Sequence, residues 1–320
     1  MVAKPAEIVL PCPICRNATH HLDAPPVFKL RRCFACQTVF LDTSPRQMAD
    51  YASELEQQYF GAEFVAKDSN WVARYERWSN QRTLRRISQA LAPGQSQLLE
   101  VGIGSGRFLN TAAQAGWHVT GIEASLVVAE HARQQYHVPI FVGSLDEYDK
   151  SLGKDFQAVI MNHVLEHFAD PKKALLQVKN LLKIGGVLHL AVPNFSCWEA
   201  KLPGWTSYQP YHLYYFDRES LTCLLEDCGF KVLNVSYQEP FSGWVNAILH
   251  TMLRTSRVSL PQAQGALDDL RPGKVKAFLR HGFEATRLAA GGLLLPLRMM
   301  QCFMGKGEEM IILAVVPDGN

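Results

Sequence analysis

Apolar positions fall into short closed runs along the middle of the chain, each ended by glycine, proline or a charge. Residues 97–101 (QLLEV) form such a run, the pattern of a strand buried on both faces. A loop with glycine at 102, 104 and 106 follows, then a helical pattern over 107–115 with Gly116 as its C-cap. A second strand is predicted over 117–122 and ends in Glu123. Further on, Asp217 is placed to cap a helix over 218–228 that Gly229 stops, and residues 230–237 alternate like a strand. The last clear strand is predicted at 309–316. Ahead of the glycine loop, 46–59 and 71–91 both read as helices, the second closed by Ala92-Pro93-Gly94.

The 320 residues make room for roughly two domains. Apolar residues at 48% and charged residues at 19% are enough for a substantial core, which excludes a disordered chain. A formal net charge of +2 argues against a dedicated nucleic-acid binder. Arg74, Arg77, Arg82, Arg85 and Arg86 cluster on the 71–91 helix; they read as a solvated face ahead of an anion-binding edge. The N-terminal stretch is interrupted by Pro5 and Pro11 and carries no signal-peptide pattern. The apolar stretch 288–297 is shorter than the ~20 residues a bilayer span needs. The expected location is cytoplasmic, with membrane association as the variant.

Cysteines change the picture at the N-terminus. Cys12 and Cys15 form one C-x2-C pair, Cys33 and Cys36 another, with 17 residues between them. That is a zinc-ribbon pattern, since each tight turn supplies two thiolates to a tetrahedral ion. Four protein ligands close the site, so the expected Zn2+ is structural. Cys197, Cys223, Cys228 and Cys302 lack ligand spacing and read as buried apolar side chains.

Strand, glycine loop, helix, strand and acid form the first half of a dinucleotide-type fold. Glu123 stands 21 residues after Gly102, near the spacing of an acid that bonds ribose hydroxyls. The third glycine of the nicotinamide fingerprint would fall at 107, which is Arg107. Glu100 at the strand end is a poor neighbour for a pyrophosphate and a good one for an ammonium group. S-adenosylmethionine carries an ammonium and a ribose and has no phosphate.

Four stretches carry a family resemblance. LLEVGIGSGRFL at 98–109 strongly resembles the first motif of class I S-adenosylmethionine-dependent methyltransferases. VTGIEAS at 119–125 resembles their second-strand motif, FQAVIMNHVLEH at 156–167 their fourth strand and its turn, and LLKIGGVLHLAVPN at 181–194 their late helix, Gly-Gly turn and fifth strand. The resemblance spans about 97–240 and implies an α/β fold: a doubly wound, seven-stranded, mostly parallel Rossmann-like sheet.

The same resemblance implies roles by position. Glu100 and the backbone of Gly102, Ile103, Gly104 and Gly106 would hold the methionine part, and Glu123 the ribose. Ser144 and Leu145, after a third strand at 140–142, would line the adenine. Asn162 and His163 would flank the sulfonium. The loop 194–216 is dense in aromatics (Trp198, Trp205, Tyr208, Tyr211, Tyr214, Tyr215) and carries His212. It resembles the His-aromatic segment of small-molecule methyltransferases, among them sugar C-methyltransferases with an N-terminal four-cysteine module, where a Tyr and a His serve catalysis. This places Tyr208 and His212 as catalytic candidates, His212 as a general base.

The domain layout expected is a zinc ribbon at 1–45, a helical linker or lid at 46–95, a methyltransferase domain at 96–239 and 308–320, and a helical insertion at 240–307. The insertion reads as a cap on the domain or on another subunit, with peripheral membrane contact through 285–305 as the other reading. The oligomeric state stays open. The expected activity is methyl transfer to a small molecule: a sugar nucleotide, glycan precursor, polyketide or lipid-linked intermediate. Competing readings are an RNA base methyltransferase, against which stand the low charge and a 162–165 turn that is not Asn-Pro-Pro-aromatic, and a non-catalytic module on the same fold. A nicotinamide oxidoreductase ranks last.

Overall fold

A computed structural model of the chain describes residues 10–22, 29–43, 70–94, 96–149, 151, 153–209, 211–238, 243–254 and 292–318. The helix expected at 46–59, and most of the insertion between 255 and 291, lie outside the described residues.

Three short strands open the chain: β1 (Thr19–Leu22), β2 (Leu30–Cys33) and β3 (Val39–Leu41). Helix α1 (Asn70–Ala90) follows, and β4 (Gln97–Val101) starts the main sheet. Next come α2 (Arg107–Gln114), β5 (His118–Glu123), α3 (Leu126–Tyr136) and β6 (Ile140–Val142). The second half holds β7 (Phe156–Asn162), α4 (Pro171–Leu181), β8 (Leu182–Pro193), the two-residue β9 (Tyr214–Tyr215), α5 (Arg218–Asp227) and β10 (Lys231–Gln238). Helices α6 (Gly243–Arg254) and α7 (Leu295–Phe303) come from the insertion, and β11 (Glu309–Val315) closes the sheet.

Seven strands run in the order β10-β11-β8-β7-β4-β5-β6. Strands β8, β7, β4, β5 and β6 are parallel neighbours, while β11 is antiparallel to both β8 and β10. Period-two alternation in the strands sorts two cores. Leu98, Ala158 and Ile160 face α1, α2 and α3 through Leu84, Ile87, Leu109 and Ala129. Leu99, Val159 and Met161 face α4 and α5 through Leu175, Val178, Leu221 and Leu224. Helix ends follow local chemistry: Ser125, Asp170 and Asp217 each accept a backbone N–H at the start of α3, α4 and α5.

The strand order reverses at β4, between β5 on one side and β7 on the other. That switch point opens a crevice at the carboxyl ends of the parallel strands, the usual ligand position in such sheets. β11 runs the other way, so its first residue, Glu309, pairs with Pro193 and Gln238 at this same edge.

The N-terminal strands do not stand apart. β3 pairs with β9, giving a second, four-stranded sheet β1-β2-β3-β9. The insertion helices α6 and α7 bridge through Trp244 Nε1 donating to Gln301 Oε1 (2.9 Å). Both also reach the segment after β8, where Gln301 donates to buried Glu199 (2.6 Å) and the Gly204 N–H donates to Thr251 (3.0 Å). These contacts hold α6 and α7 against the segment after β8. α7 also exposes Leu295, Met299 and Phe303. No helix among the described residues is long and apolar enough to cross a membrane.

Candidate functional site

The glycine loop turns from β4 into α2 with three left-handed residues, Gly102 (φ 69), Gly104 (φ 50) and Gly106 (φ 71). At Gly102 space adds to backbone geometry, because a Cβ there would lie 2.6 Å from the Val164 side chain. Ile103, between the glycines, is buried over Gly121 of β5. The loop therefore leaves a backbone cradle at the switch point.

Two carboxylates frame that cradle. Glu100 is 3% exposed, and its Oε2 has no hydrogen-bond partner. Burial pushes its carboxyl well above the usual range, the N–H of Leu109 opposes this, and nearby Glu123 adds to it. A cation beside Glu100 would satisfy the orphaned oxygen, which fits the ammonium of a bound donor. Glu123 ends β5 and accepts from the Ser125 N–H (3.0 Å) and the Gly104 N–H (3.4 Å). It is thus held against the glycine loop. Ser144 is exposed; its N–H and hydroxyl both donate to Glu147 (2.8 and 2.9 Å), while Leu145 is buried.

On the other side of the switch point, β7 ends in Asn162 and His163. His163 is left-handed (φ 54), a costly conformation for a non-glycine residue, found disproportionately at functional sites. Its Nε2 lies 2.7 Å from Glu309 Oε1 and its Nδ1 3.6 Å from Glu166 Oε1. Burial opposes charging of the ring, but the nearby Glu166 carboxylate and the hydrogen-bonded Glu309 outweigh it and raise His163 to about 10. Glu166 is 1% exposed; burial opposes its ionisation too, yet His163, His167 and His212 hold it down at about 2. The two effects describe one ion pair seen from either end.

His163 lines a cavity of about 350 Å³ with Tyr75 and Ser79 of α1, Pro193, Thr206, Ser207, Gln238, Glu308 and Glu309. No lysine or arginine appears among those lining residues. One turn touches both, since His163 lines the cavity and its neighbour Val164 packs on Gly102.

The aromatic loop packs inward. Trp205, Tyr208, Tyr214 and Tyr215 are 1–2% exposed and belong to the larger of the two cores. Tyr208 donates its hydroxyl to the Ala200 carbonyl (2.7 Å), and burial pushes the phenol up, away from catalytic use. The His212 Nδ1–H donates to the Ser207 carbonyl (2.8 Å), and burial pushes the imidazole down to about 3. Both residues order the loop, and neither lines the cavity. Glu166, Glu308, Glu309, Tyr75 and Gln238 were not foreseen. For Glu309 no local signal exists, since it stands 146 residues from its partner His163.

Glu166, His167 and His212 approach closely enough to suggest a metal cluster. The hydrogen bonds argue otherwise: the two ring nitrogens of His167 face the carbonyls of Tyr211 and His163, both at 3.0 Å. A metal would have to displace one of them.

Cys12, Cys15, Cys33 and Cys36 do converge. Their sulfurs lie 3.4–3.6 Å apart in three pairs, close to the roughly 3.8 Å edge of a tetrahedron built on a 2.3 Å zinc–sulfur bond. All four are free thiols. The Cys12 and Cys36 thiols share one hydrogen bond, which pushes one up and the other down. The donor set fits a closed structural metal. Among the other cysteines, Cys197 and Cys228 are buried, while Cys223 and Cys302 are partly exposed.

Comparison with known proteins adds a family. Residues 72–235 match the family described as "Methyltransferase domain". The chain is 30% identical over 116 residues to "Ubiquinone biosynthesis O-methyltransferase" of Xanthomonas axonopodis pv. citri (strain 306), covering 35% of this chain and 48% of that protein. It is 31% identical over 115 residues to the protein of the same name from Caulobacter vibrioides, covering 34% and 46%. The chain thus spans about half the length of these curated relatives. Among solved structures, a SAM-dependent methyltransferase from Archaeoglobus fulgidus aligns at 17% identity and a TM-score of 0.48, covering 75% of this chain and 94% of that one.

Proposed function

This chain belongs to the methyltransferase-domain family, whose match covers just over half of it, and from that premise we propose that it methylates a small, polar acceptor from S-adenosylmethionine. The observation that carries the reading is one turn shared by two spaces. A glycine cradle with an orphaned buried carboxylate, Glu100, meets that turn at the Gly102–Val164 contact, and His163 of the same turn lines a polar cavity. When bound, S-adenosylmethionine supplies an electrophilic methyl group on a sulfonium.

The chain's own residues do the rest. Glu100 and the backbone of Gly102, Ile103, Gly104 and Gly106 hold the methionine part, Glu123 holds the ribose, and Ser144 and Leu145 stand where the adenine would lie. Asn162 and His163 sit where cradle meets cavity. The acceptor must lose a proton as it takes the methyl group, and the carboxylate of Glu309 is placed to receive it. His163 stays charged between Glu309 and Glu166 and fixes the orientation of that carboxylate. Proton handling therefore passes from His212 to the His163–Glu309 pair. In the ribbon, the four cysteines hold a structural zinc.

The cavity also narrows the acceptor. Its lining of hydroxyls, an amide, two carboxylates, one tyrosine and a His163 already paired with Glu309 suits a neutral hydroxylated group or an amine. His163 is the one cation among the described lining residues and is already paired with Glu309 and Glu166, so the phosphate of a sugar nucleotide or lipid-linked intermediate would find no free counter-charge inside. The same lining disfavours an RNA acceptor. The test is transfer of labelled methyl from the donor to a panel of neutral sugars, amines and sugar phosphates. Label in neutral or amino acceptors supports the reading; label only in phosphate-bearing acceptors overturns it.

A further inference from the structure

The four-cysteine ribbon lies far from the donor cradle in sequence, yet a continuous hydrogen-bond ladder runs from it to the acceptor side. Cys33 and Cys36 bracket the turn into β3, where the Cys33 N–H donates to the Thr38 carbonyl (3.0 Å). β3 then pairs with β9, Val39 opposite Tyr215 and Phe40 opposite Tyr214. The Leu41 N–H donates to the Leu213 carbonyl (3.0 Å). From there the ladder turns to the site. The Leu213 N–H donates to the carbonyl of Glu166 (2.9 Å), and the Tyr211 carbonyl lies 3.0 Å from His167 Nδ1. The Tyr214 hydroxyl donates to the Ala169 carbonyl (3.0 Å). Glu166 in turn faces His163, which lines the acceptor cavity.

The segment 211–216 is therefore clamped on one edge by the ribbon and on the other by the turn that carries Glu166 and His167. β9 pairs over only two residues, and β3 is three residues long. So short a pairing does not hold itself; its register depends on what fixes β3. Side chains repeat the arrangement, the Phe40 and Tyr214 ring centroids lying 6.5 Å apart.

We infer that the metal-loaded ribbon is the positioning device of the acceptor half: metal at Cys12, Cys15, Cys33 and Cys36 fixes β3, β3 fixes β9, and β9 holds Glu166 and His167 in place beneath His163. The hydrogen bonds of this ladder do not reach the glycine loop or Glu123; the turn it clamps meets the loop through the Val164 side chain on Gly102. Metal loading should therefore set the order of the acceptor side while leaving the donor side alone. The inference rests on the reading of the four cysteines as a metal site.

The experiment is hydrogen exchange by mass spectrometry on the full chain, as purified, after stripping with a zinc chelator, and after reloading with zinc chloride. Metal content is measured in each state. The expected result is about one zinc per chain, a loss of protection of about tenfold or more across 211–216 on stripping, recovery on reloading, and unchanged protection across 98–101. S-adenosylhomocysteine should bind the stripped and loaded chains alike. A second variant separates ladder from metal: Leu41→Pro removes the N–H that reaches Leu213 but no cysteine. It should keep its zinc and lose protection at 211–216.

The failures are distinct. A chain that neither carries nor takes up zinc overturns the metal reading and this inference with it. Zinc that leaves without changing exchange at 211–216 overturns the inference alone. Loss of protection at 98–101 together with 211–216 also overturns it, since the ribbon would then be one cooperative unit with the whole domain.

Discussion

Gly104 and Glu123, which meet at the donor cradle, stand 19 residues apart, whereas His163 and Glu309, which meet at the acceptor cavity, stand 146 apart. The cradle is made within one strand-loop-helix-strand unit, and its parts are fixed by backbone geometry: three left-handed glycines and a strand-end carboxylate accepting two N–H groups. The acceptor side gathers α1, the end of β7, the loop after β8, the start of β11 and, through β9, the N-terminal ribbon. One half is local and stiff. The other is assembled from remote pieces, and each piece is a point at which substrate choice can change without disturbing donor binding.

Gly104→Asp should break the local half most severely. The loop needs φ near 50 there, and a new carboxylate would face Glu100 and Glu123. Donor affinity should fall by ~1,000-fold, or about 4 kcal/mol, in calorimetric titration.

Glu309→Gln should break the assembled half instead. Turnover should drop by about 100-fold with donor affinity unchanged. The His163 imidazole, held at about 10 by its two carboxylates, should titrate lower by NMR. The sign follows from the pair. His163 gains a favourable charged state on folding, so its contribution to stability is full below the ordinary histidine range. That contribution is lost as the pH rises towards 10. The variant should lose that alkaline dependence.

Glu100→Gln sharpens the contrast within the donor half. Its affinity for donor should fall by roughly tenfold, because the amide cannot pair with an ammonium. The empty fold should gain, since burial raises the Glu100 carboxyl and ionising it costs stability. A raised carboxyl makes the wild-type chain less stable as pH climbs above the ordinary carboxylate range. Thermal melts of the variant should lack that decline.

Tyr208→Phe should have the smallest effect. Removing the hydroxyl that donates to the Ala200 carbonyl should cost about 1 kcal/mol of stability and leave both donor binding and turnover intact.

The same contrast explains what could be read from sequence. β4, β6, α2, α5 and the capping residues lie within a residue or two of their expected bounds, because each depends on short-range pattern and cap chemistry. The left-handed glycine turn and the strand-end position of Glu123 were legible for that reason. The burial of His212 and Tyr208 was not legible, because an aromatic cluster beside a histidine reads alike whether it faces solvent or core. Only the pairing of β3 with β9, two segments some 170 residues apart by sequence number, decides that it is core. The His163–Glu309 pair was hidden by the insertion between β10 and β11, which separates β11 from the rest of the sheet in sequence but not in space.

The most direct test of the account is calorimetric titration of the purified chain with S-adenosylhomocysteine, with NADH as a parallel control. The account predicts micromolar binding of the first, on the order of −8 kcal/mol, and no heat from the second. Binding of NADH, or no binding of S-adenosylhomocysteine, would contradict the assignment of the Gly102–Gly106 cradle and the methyl transfer built on it.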